Sequence, residues 1–347
     1  MDARIVIAGT GSYAPGEAIG NEELKRLAGV EFDSERLEAK IGIKARHIAR
    51  LRGIDESAAD FAERASRIAL ADAGVAAAEV GLFIVATDTP EYVSPATGII
   101  LQGRLQGGET DAEALDVSSS CASFVTALDL AARRMATDPS LRHALVVGVY
   151  NMPAHIRSGD AFGWSIFADG AGAVLLSQAG GAQAGGVRAE GAGGSRYVEG
   201  CFRADGTQWN FVGVYAGGAR KPVTRELLDR GEYGLELLQR LPGDRNVKLW
   251  PPLALRLLEK AAWEKSKVDH WIFTQINRSV IEEVMGILGE PMTKTTTVME
   301  NYGYTGSGCV PMALDFAKRT GRVKRGDALV LVASGAGFSV GANLLVL

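Results

Sequence analysis

The chain repeats itself. The string ALDLA at residues 127–131 returns as ALDFA at 313–317, and ALVVGV from Ala144 returns as ALVLVA from Ala328, offsets of 186 and 184. Each echo is followed by a glycine-rich stretch and a last apolar run, DGAGAVLLS in the first case and GAGFSVGANLLVL in the second. Upstream, GLFIVATD pairs loosely with DHWIFTQI. Self-similarity at a fixed offset means one structural unit built twice. We therefore expect two similar halves, 1–178 and 179–347, with the glycine-rich stretch 180–194 at their join. That stretch reads either as a linker or as a strand pair with glycine turns.

Within a half, short β-rich runs (RIVIAG, GLFIVATD) alternate with helical spacing. In residues 56–73, Ala58, Phe61, Ala62, Ala65, Ile68 and Ala69 share one face, and Gly74 supplies a stop. Strand and helix in alternation imply an α/β fold with parallel strands and crossover helices. Residues 196–250 break the repeat. They hold YVEGCFRADGTQWNFVG and the helix-like VTRELLDRGEYGLELLQRL. Such an excursion either covers a substrate entrance or is purely structural.

Composition removes several function classes. A net charge of −4 without a basic run gives no sign of a nucleic-acid surface. No apolar run approaches the roughly 20 residues that span a bilayer. The start reads as a strand and a turn, not as a leader. The three cysteines, Cys121, Cys201 and Cys309, are too few and too scattered for a disulfide framework or a metal site, and they suit a reducing cytoplasm.

One of the three sits in a suggestive place. In LDVSSSCASFVTALDLAARRM a buried strand passes through Ser118, Ser119 and Ser120 into a helix whose face is Val125, Leu128, Ala131, Ala132 and Met135. Cys121 thus lies at a helix N-terminus, where unpaired N–H groups and the helix dipole favour a thiolate. The same N–H groups could hold the oxyanion formed when sulfur attacks a carbonyl. The alternative is a small buried packing residue.

Seven segments in order, GTGSYAPGEAIGNEEL, IGIKARHIA, IVATDTPEYVSPATG, SSSCASFVTALDLA, FADGAGAVLL, NYGYTGSGCVPMALDFA and SGAGFSVGANLLVL, resemble the landmarks of β-ketoacyl-ACP synthase III enzymes across nearly the whole chain. The resemblance implies a thiolase-like fold: two βαβαβαββ halves in five layers, α-β-α-β-α, forming a homodimer. It implies that Cys121 takes an acyl group from coenzyme A or acyl carrier protein, with no permanently bound cofactor and no metal. It implies an oxyanion hole from the backbone N–H groups of Cys121 and Ala336.

Two family positions differ. The HQAN motif is here TQIN, so Thr274 stands in the histidine's place, with Gln275 and Asn277 kept. The asparagine of GNTS is replaced by Tyr304 in GYTG. Both replacements carry hydroxyl donors, but a threonine is no base near neutral pH. Among the four histidines, His47, His143 and His270 read as packing or surface residues, and His155 is kept as a candidate. For donor binding the resemblance points to Arg36, where the family has a tryptophan, and to Lys40. Ser279 falls where an arginine is expected, beside Arg278. Asp169 reads as a turn residue and Cys309 as packing.

The function expected is acyl transfer or Claisen-type condensation in fatty-acid or secondary metabolism. The alternatives are a catalytically reduced partner subunit of a heterodimer and a thioester hydrolase.

Overall fold

The computed structural model describes residues 4–179 and 194–347, so the join at 180–193 lies outside the described residues. The first sheet contains β1 (Arg4–Tyr13), β2 (Leu82–Ala86), β3 (Glu113–Val117), β4 (His143–Tyr150) and β5 (Gly170–Ala179). Its order in space is β1-β5-β4-β2-β3. The β2 strand is parallel to β3 and β4, whereas β5 is antiparallel to both its neighbours.

The second sheet repeats this pattern. Strand β6 (Arg196–Gln208) is followed by a separate ribbon of β7 (Val212–Val214) and β8 (Leu235–Leu237), then by β9 (His270–Phe273), β10 (Ala328–Gly335) and β11 (Gly337–Val346). The sheet order is β9-β10-β11-β6, with β9 parallel to β10 and the other pairs antiparallel. The counterpart of β3 is reduced to one bridge, Thr295 beside Trp271.

Helices α1 (Ala58–Ala73), α2 (Thr97–Gln106) and α3 (Ser123–Thr137) belong to the first half, and α4 (Arg245–Lys260), α5 (Arg278–Leu288) and α6 (Cys309–Arg319) to the second. The predicted helix at 56–73 begins at Ala58, because Ser57 and Asp60 form a capping box, and it ends at a left-handed Gly74. Helices α3 and α6 touch both sheets and form the middle of five layers. Outside them, α1 and α2 cover the first sheet, and α4, with α5 beside it, covers the second.

The repeated ALD motif explains how the halves lock. Asp315 on α6 accepts from Thr10 Oγ1 at 2.8 Å and Ser12 Oγ at 2.6 Å, both on β1 of the other half. Asp129 on α3 accepts from the Tyr197 hydroxyl at 2.5 Å, on β6 of the other half. Each aspartate is also held by an arginine one turn on, Arg319 and Arg133, at 2.9 Å. A charge-assisted bond to a buried carboxylate is stronger than a neutral one, so each half is fastened to its twin's first strand.

Two readings of residues 196–250 need correction. Arg196–Gln208 is β6, the twin of β1, and Arg245–Lys260 is α4, the twin of α1, so the true excursion is 209–244. Nor is VTRELLDRGEYGLELLQRL one helix. It is helical only over Arg225–Asp229, then turns at Gly231 and Gly234 (φ +68° and +75°) into β8. A side chain at Gly234 would meet the His155 carbonyl oxygen at 2.2 Å, so close approach selects glycine there. Among the described residues no helix is long and apolar enough to cross a membrane.

Candidate active site

Cys121 sits on an elbow between β3 and α3, two residues before the helix begins. Ser120 takes a left-handed conformation (φ +50°), which a non-glycine residue adopts only when its surroundings hold it there. They do. Ser119 Oγ donates to Ser339 Oγ of β11 at 2.7 Å, and the Ser119 N–H donates to Ser123 Oγ at 2.8 Å. Against the elbow lies the turn between β10 and β11. A side chain at Gly335 would meet Ser119 O at 2.6 Å and Cys121 N at 2.8 Å, so the two loops touch backbone to backbone. The contact sets the Ala336 N–H against the elbow, where it donates to Ser120 Oγ at 3.2 Å.

Above the sulfur opens a cavity of about 390 Å³. Its floor includes Asp88, Cys121, Tyr150, Thr274 and Ala336, which end or follow β2, β3, β4, β9 and β10 at their carboxyl ends, together with Tyr304 from the loop before α6. This is the usual place for ligands in parallel sheets. The walls come largely from the 209–244 excursion: Trp209, Val212, Val214, Tyr215, Leu235 and Leu237. The excursion therefore encloses the cavity, with an apolar lining suited to an acyl chain.

The thiol departs from the expectation drawn from its backbone position. Burial, and then the charge of Asp88, push the Cys121 pKa up to about 12, although hydrogen bonds from Tyr304, Ser120 and Tyr150 pull it down. At rest the sulfur is a protonated thiol. Burial outweighs the helix terminus because desolvation penalises the anion directly. Tyr150 and Tyr304 are themselves raised well above 10 by burial and by the nearby sulfur, so both stay neutral donors. Their rings cluster with Phe167, centroids 5.7–6.2 Å apart.

The other predicted residues divide. Thr274 is fully buried on the cavity floor, but its hydroxyl oxygen already accepts the Ser334 N–H at 3.0 Å. Arg36, Lys40 and Asn277 meet in a second cavity of about 760 Å³ with Ser279 and Arg240; Phe162 and Leu241 line both cavities. Asn277 also caps α5. Arg278 stays out, paired with Glu282 and Glu300 at 2.9 Å. Gln275 is a clamp, donating to Phe273 O and Thr296 O and accepting from Val298 N–H.

None of the four histidines lines either cavity, so His155 drops out as a candidate. His47 stacks on Tyr302, while His143 and His270 bond Ser177 and Thr296. Asp169 is more than a turn residue. It is fully buried, accepts from Asn151 Nδ2 at 2.7 Å and the Ala49 N–H at 2.8 Å, and burial raises its pKa to about 7. Cys309 is packing, as expected, its sulfur accepting the Gln275 N–H at 3.4 Å.

Residues 115–192 and 258–347 match the two profiles described as 3-oxoacyl-[acyl-carrier-protein] synthase III and its C-terminal part. The chain is 33% identical over 344 residues to a β-ketoacyl-[acyl-carrier-protein] synthase III of Xanthomonas oryzae pv. oryzae, covering 98% of this chain and 97% of that one. The chain belongs to the β-ketoacyl-ACP synthase III family. Solved structures agree. The 3-oxoacyl-[acyl-carrier-protein] synthase III of Aquifex aeolicus aligns over 99% of this chain and 100% of its own, with TM-score 0.81 and 27% identity. The priming β-ketosynthase of the R1128 polyketide pathway aligns over 100% and 98%, with TM-score 0.83 and 27% identity.

As a β-ketoacyl-ACP synthase III relative, the chain has the thiolase fold and is an acyltransferase by class. Two floor residues escaped the sequence reading. Tyr150 merely ends the apolar run ALVVGVY, and no pattern marks it. Asp88 lies inside the landmark IVATDTPEYVSPATG, where a lone charge at the end of a buried strand was the available signal.

Proposed function

We propose that Cys121 accepts the acyl group of an acyl thioester, on coenzyme A or acyl carrier protein, and passes it to an acceptor that is already nucleophilic. The carrying observation is the sulfur itself: it stands at the foot of an apolar cavity, hydrogen-bonded by Tyr150 and Tyr304, with the Ala336 amide against its elbow. The amides of Cys121 and Ala336 form the oxyanion hole; the Ala336 N–H exchanges Ser120 Oγ for the carbonyl oxygen when substrate binds. The second cavity takes the donor's phosphate-bearing arm, with Arg36, Lys40 and Arg240 supplying positive charge and Asn277 a polar contact. In this division residues 1–178 hold the nucleophile and 179–347 hold Thr274, Tyr304 and Ala336.

Decarboxylative condensation needs two donors aimed at an enolate. Thr274 keeps its proton to donate but is fixed in place by accepting the Ser334 N–H, and the Tyr304 hydroxyl is turned to the sulfur. These arrangements favour acyl transfer to a ready nucleophile. The intact cavity counts against a purely structural subunit. The homodimer we propose is supported by β3, an edge strand that, unlike β2 and β4, is not buried, and whose Leu115 is exposed, as are the apolar Val93 and Ile99. Three buried free cysteines suit a reducing cytoplasm.

The test compares fates of the acyl enzyme. With malonyl-ACP, carbon dioxide release is expected to be slower by at least about 10²-fold than transfer to a small hydroxyl or amine acceptor, the scale of a lost enolate donor. Carbon dioxide release matching or exceeding that transfer contradicts the reading.

A further inference from the structure

Ser120 Oγ has three neighbours: the Ala336 N–H at 3.2 Å, Asp88 Oδ2 at 2.9 Å and Cys121 Sγ at 3.8 Å. A serine hydroxyl has one proton to give and two lone pairs to receive with. The amide occupies one lone pair. Burial holds the Asp88 carboxyl above the usual carboxylate range, which makes its ionised form a stronger base; once ionised it only accepts, so the hydroxyl proton points to Asp88. The hydroxyl can turn its proton to Sγ at 3.8 Å; with that proton turned to Asp88 instead, its remaining lone pair faces the sulfur and receives the thiol proton. The order is then S–H to O–H to carboxylate, a continuous path for one proton. Asp88 is held for this by its strand: Thr87 N–H donates to Val117 O at 3.1 Å, at the base of the elbow, and Thr89 Oγ1 accepts the Asn151 N–H at 2.8 Å.

The other carboxylate oxygen is unexplained by packing. Asp88 Oδ1 is enclosed, has no hydrogen-bond partner, and belongs to a residue lining the Cys121 cavity. An enclosed carboxylate oxygen left unpaired costs free energy and raises the basicity of the carboxylate, and such an exception calls for a functional explanation. The titratable groups that face Asp88 are Cys121 and Tyr150, both neutral at rest; Tyr304 and Arg245 line the same cavity. No histidine is there to take a proton.

We propose that Asp88 is the proton acceptor of this site, working through Ser120 on Cys121 and then on the acceptor substrate. The proposal rests on the reading that Cys121 is acylated. In the first step sulfur bonds to the acyl carbon, its proton passes to Ser120 Oγ, and the serine proton passes to Asp88 Oδ2. The donor's carbon–sulfur bond breaks, and the departing thiolate takes the proton back through Ser120. In the second step the acceptor attacks the thioester, and its proton passes to Ser120 Oγ while the serine proton passes to Asp88 Oδ2, the oxygen that Ser120 reaches. The bond to Sγ breaks, and the cysteine sulfur recovers a proton along the same path. Nothing is oxidised or reduced, and Asp88 ends as it began. The acceptor class follows: a hydroxyl or amine with a proton to surrender. An enolate, already anionic, gains nothing from a carboxylate and is repelled by it.

The alternative role for Asp88 has the opposite sign. If its charge merely raised the thiol's pKa, removing it would make more thiolate and speed acylation. We therefore specify the rate of Cys121 acylation by hexanoyl-N-acetylcysteamine, followed by intact mass from pH 5 to 9, for wild type, Asp88→Asn and Ser120→Ala, with circular dichroism confirming the fold. Wild type is expected to gain rate as Asp88 ionises and then level off. Both variants are expected to lose about 10²–10⁴-fold at pH 7, the usual worth of a positioned base, and Asp88→Asn to lose that limb of the profile. Ser120→Ala keeps the carboxylate, so it carries the test if Asp88→Asn fails to fold. Variants as fast as wild type, or faster, overturn the relay while leaving Cys121 as nucleophile. A wild type that takes no acyl group overturns both.

Discussion

Cys121→Ala is expected to lower donor-thiol release from an acyl thioester by about 10⁴-fold or more, because the covalent route disappears and no other described thiol reaches the cavity. The substitution removes one sulfur from an elbow held by other groups: Ser119 to Ser339, Ser123 to the Ser119 amide, and Ala336 to Ser120. Its cost in stability should therefore stay near the small end of core truncations, about 1 kcal/mol. Thiol release followed with a chromogenic reagent, beside a urea melt, separates the two effects. A variant that keeps a tenth of wild-type transfer would mean that the acyl group never sits on this sulfur.

Gly335→Ala should also be severe, by a different route. The new methyl group would lie 2.6 Å from Ser119 O and 2.8 Å from Cys121 N, both backbone atoms that cannot rotate away. The β10–β11 turn must lift, drawing the Ala336 N–H off the elbow. We expect acyl transfer to fall by about 10²–10³-fold, the value of one oxyanion donor, and stability to fall by about 1–3 kcal/mol from overpacking. The loss should appear in kcat more than in KM, since the donor-binding cavity around Arg36 and Lys40 is built elsewhere. Unchanged kcat would place the oxyanion contact at some other pair of amides.

Much of the architecture was legible because the repeat carries physical content. The echoed ALD places an aspartate on each central helix, and those aspartates bind the first strand of the opposite half. The strand-turn-helix setting of Cys121 was equally plain from three small serines before a helical period. What escaped was set by long-range packing. That β3 has no full twin beyond the Thr295 bridge could not be read from TTTV. The excursion's apparent helix yields to Gly234 because the His155 carbonyl sits where a side chain would go. The thiol's ionisation was misjudged because a sequence displays the helix terminus but not the depth of burial or the neighbouring Asp88. Tyr150 and Asp88 enter the site from the ends of strands whose neighbours are decided only by sheet order.

Function here requires a sulfur that becomes acylated although it rests as a thiol. The direct measurement is peptide mass mapping after incubation with a medium-chain acyl-coenzyme A or acyl-ACP. We predict a single acyl mass on the peptide containing Cys121, absent from Cys121→Ala and discharged by an added hydroxyl or amine acceptor. Finding the peptide unmodified with every donor, or the acyl group on Cys201 or Cys309 instead, would contradict it.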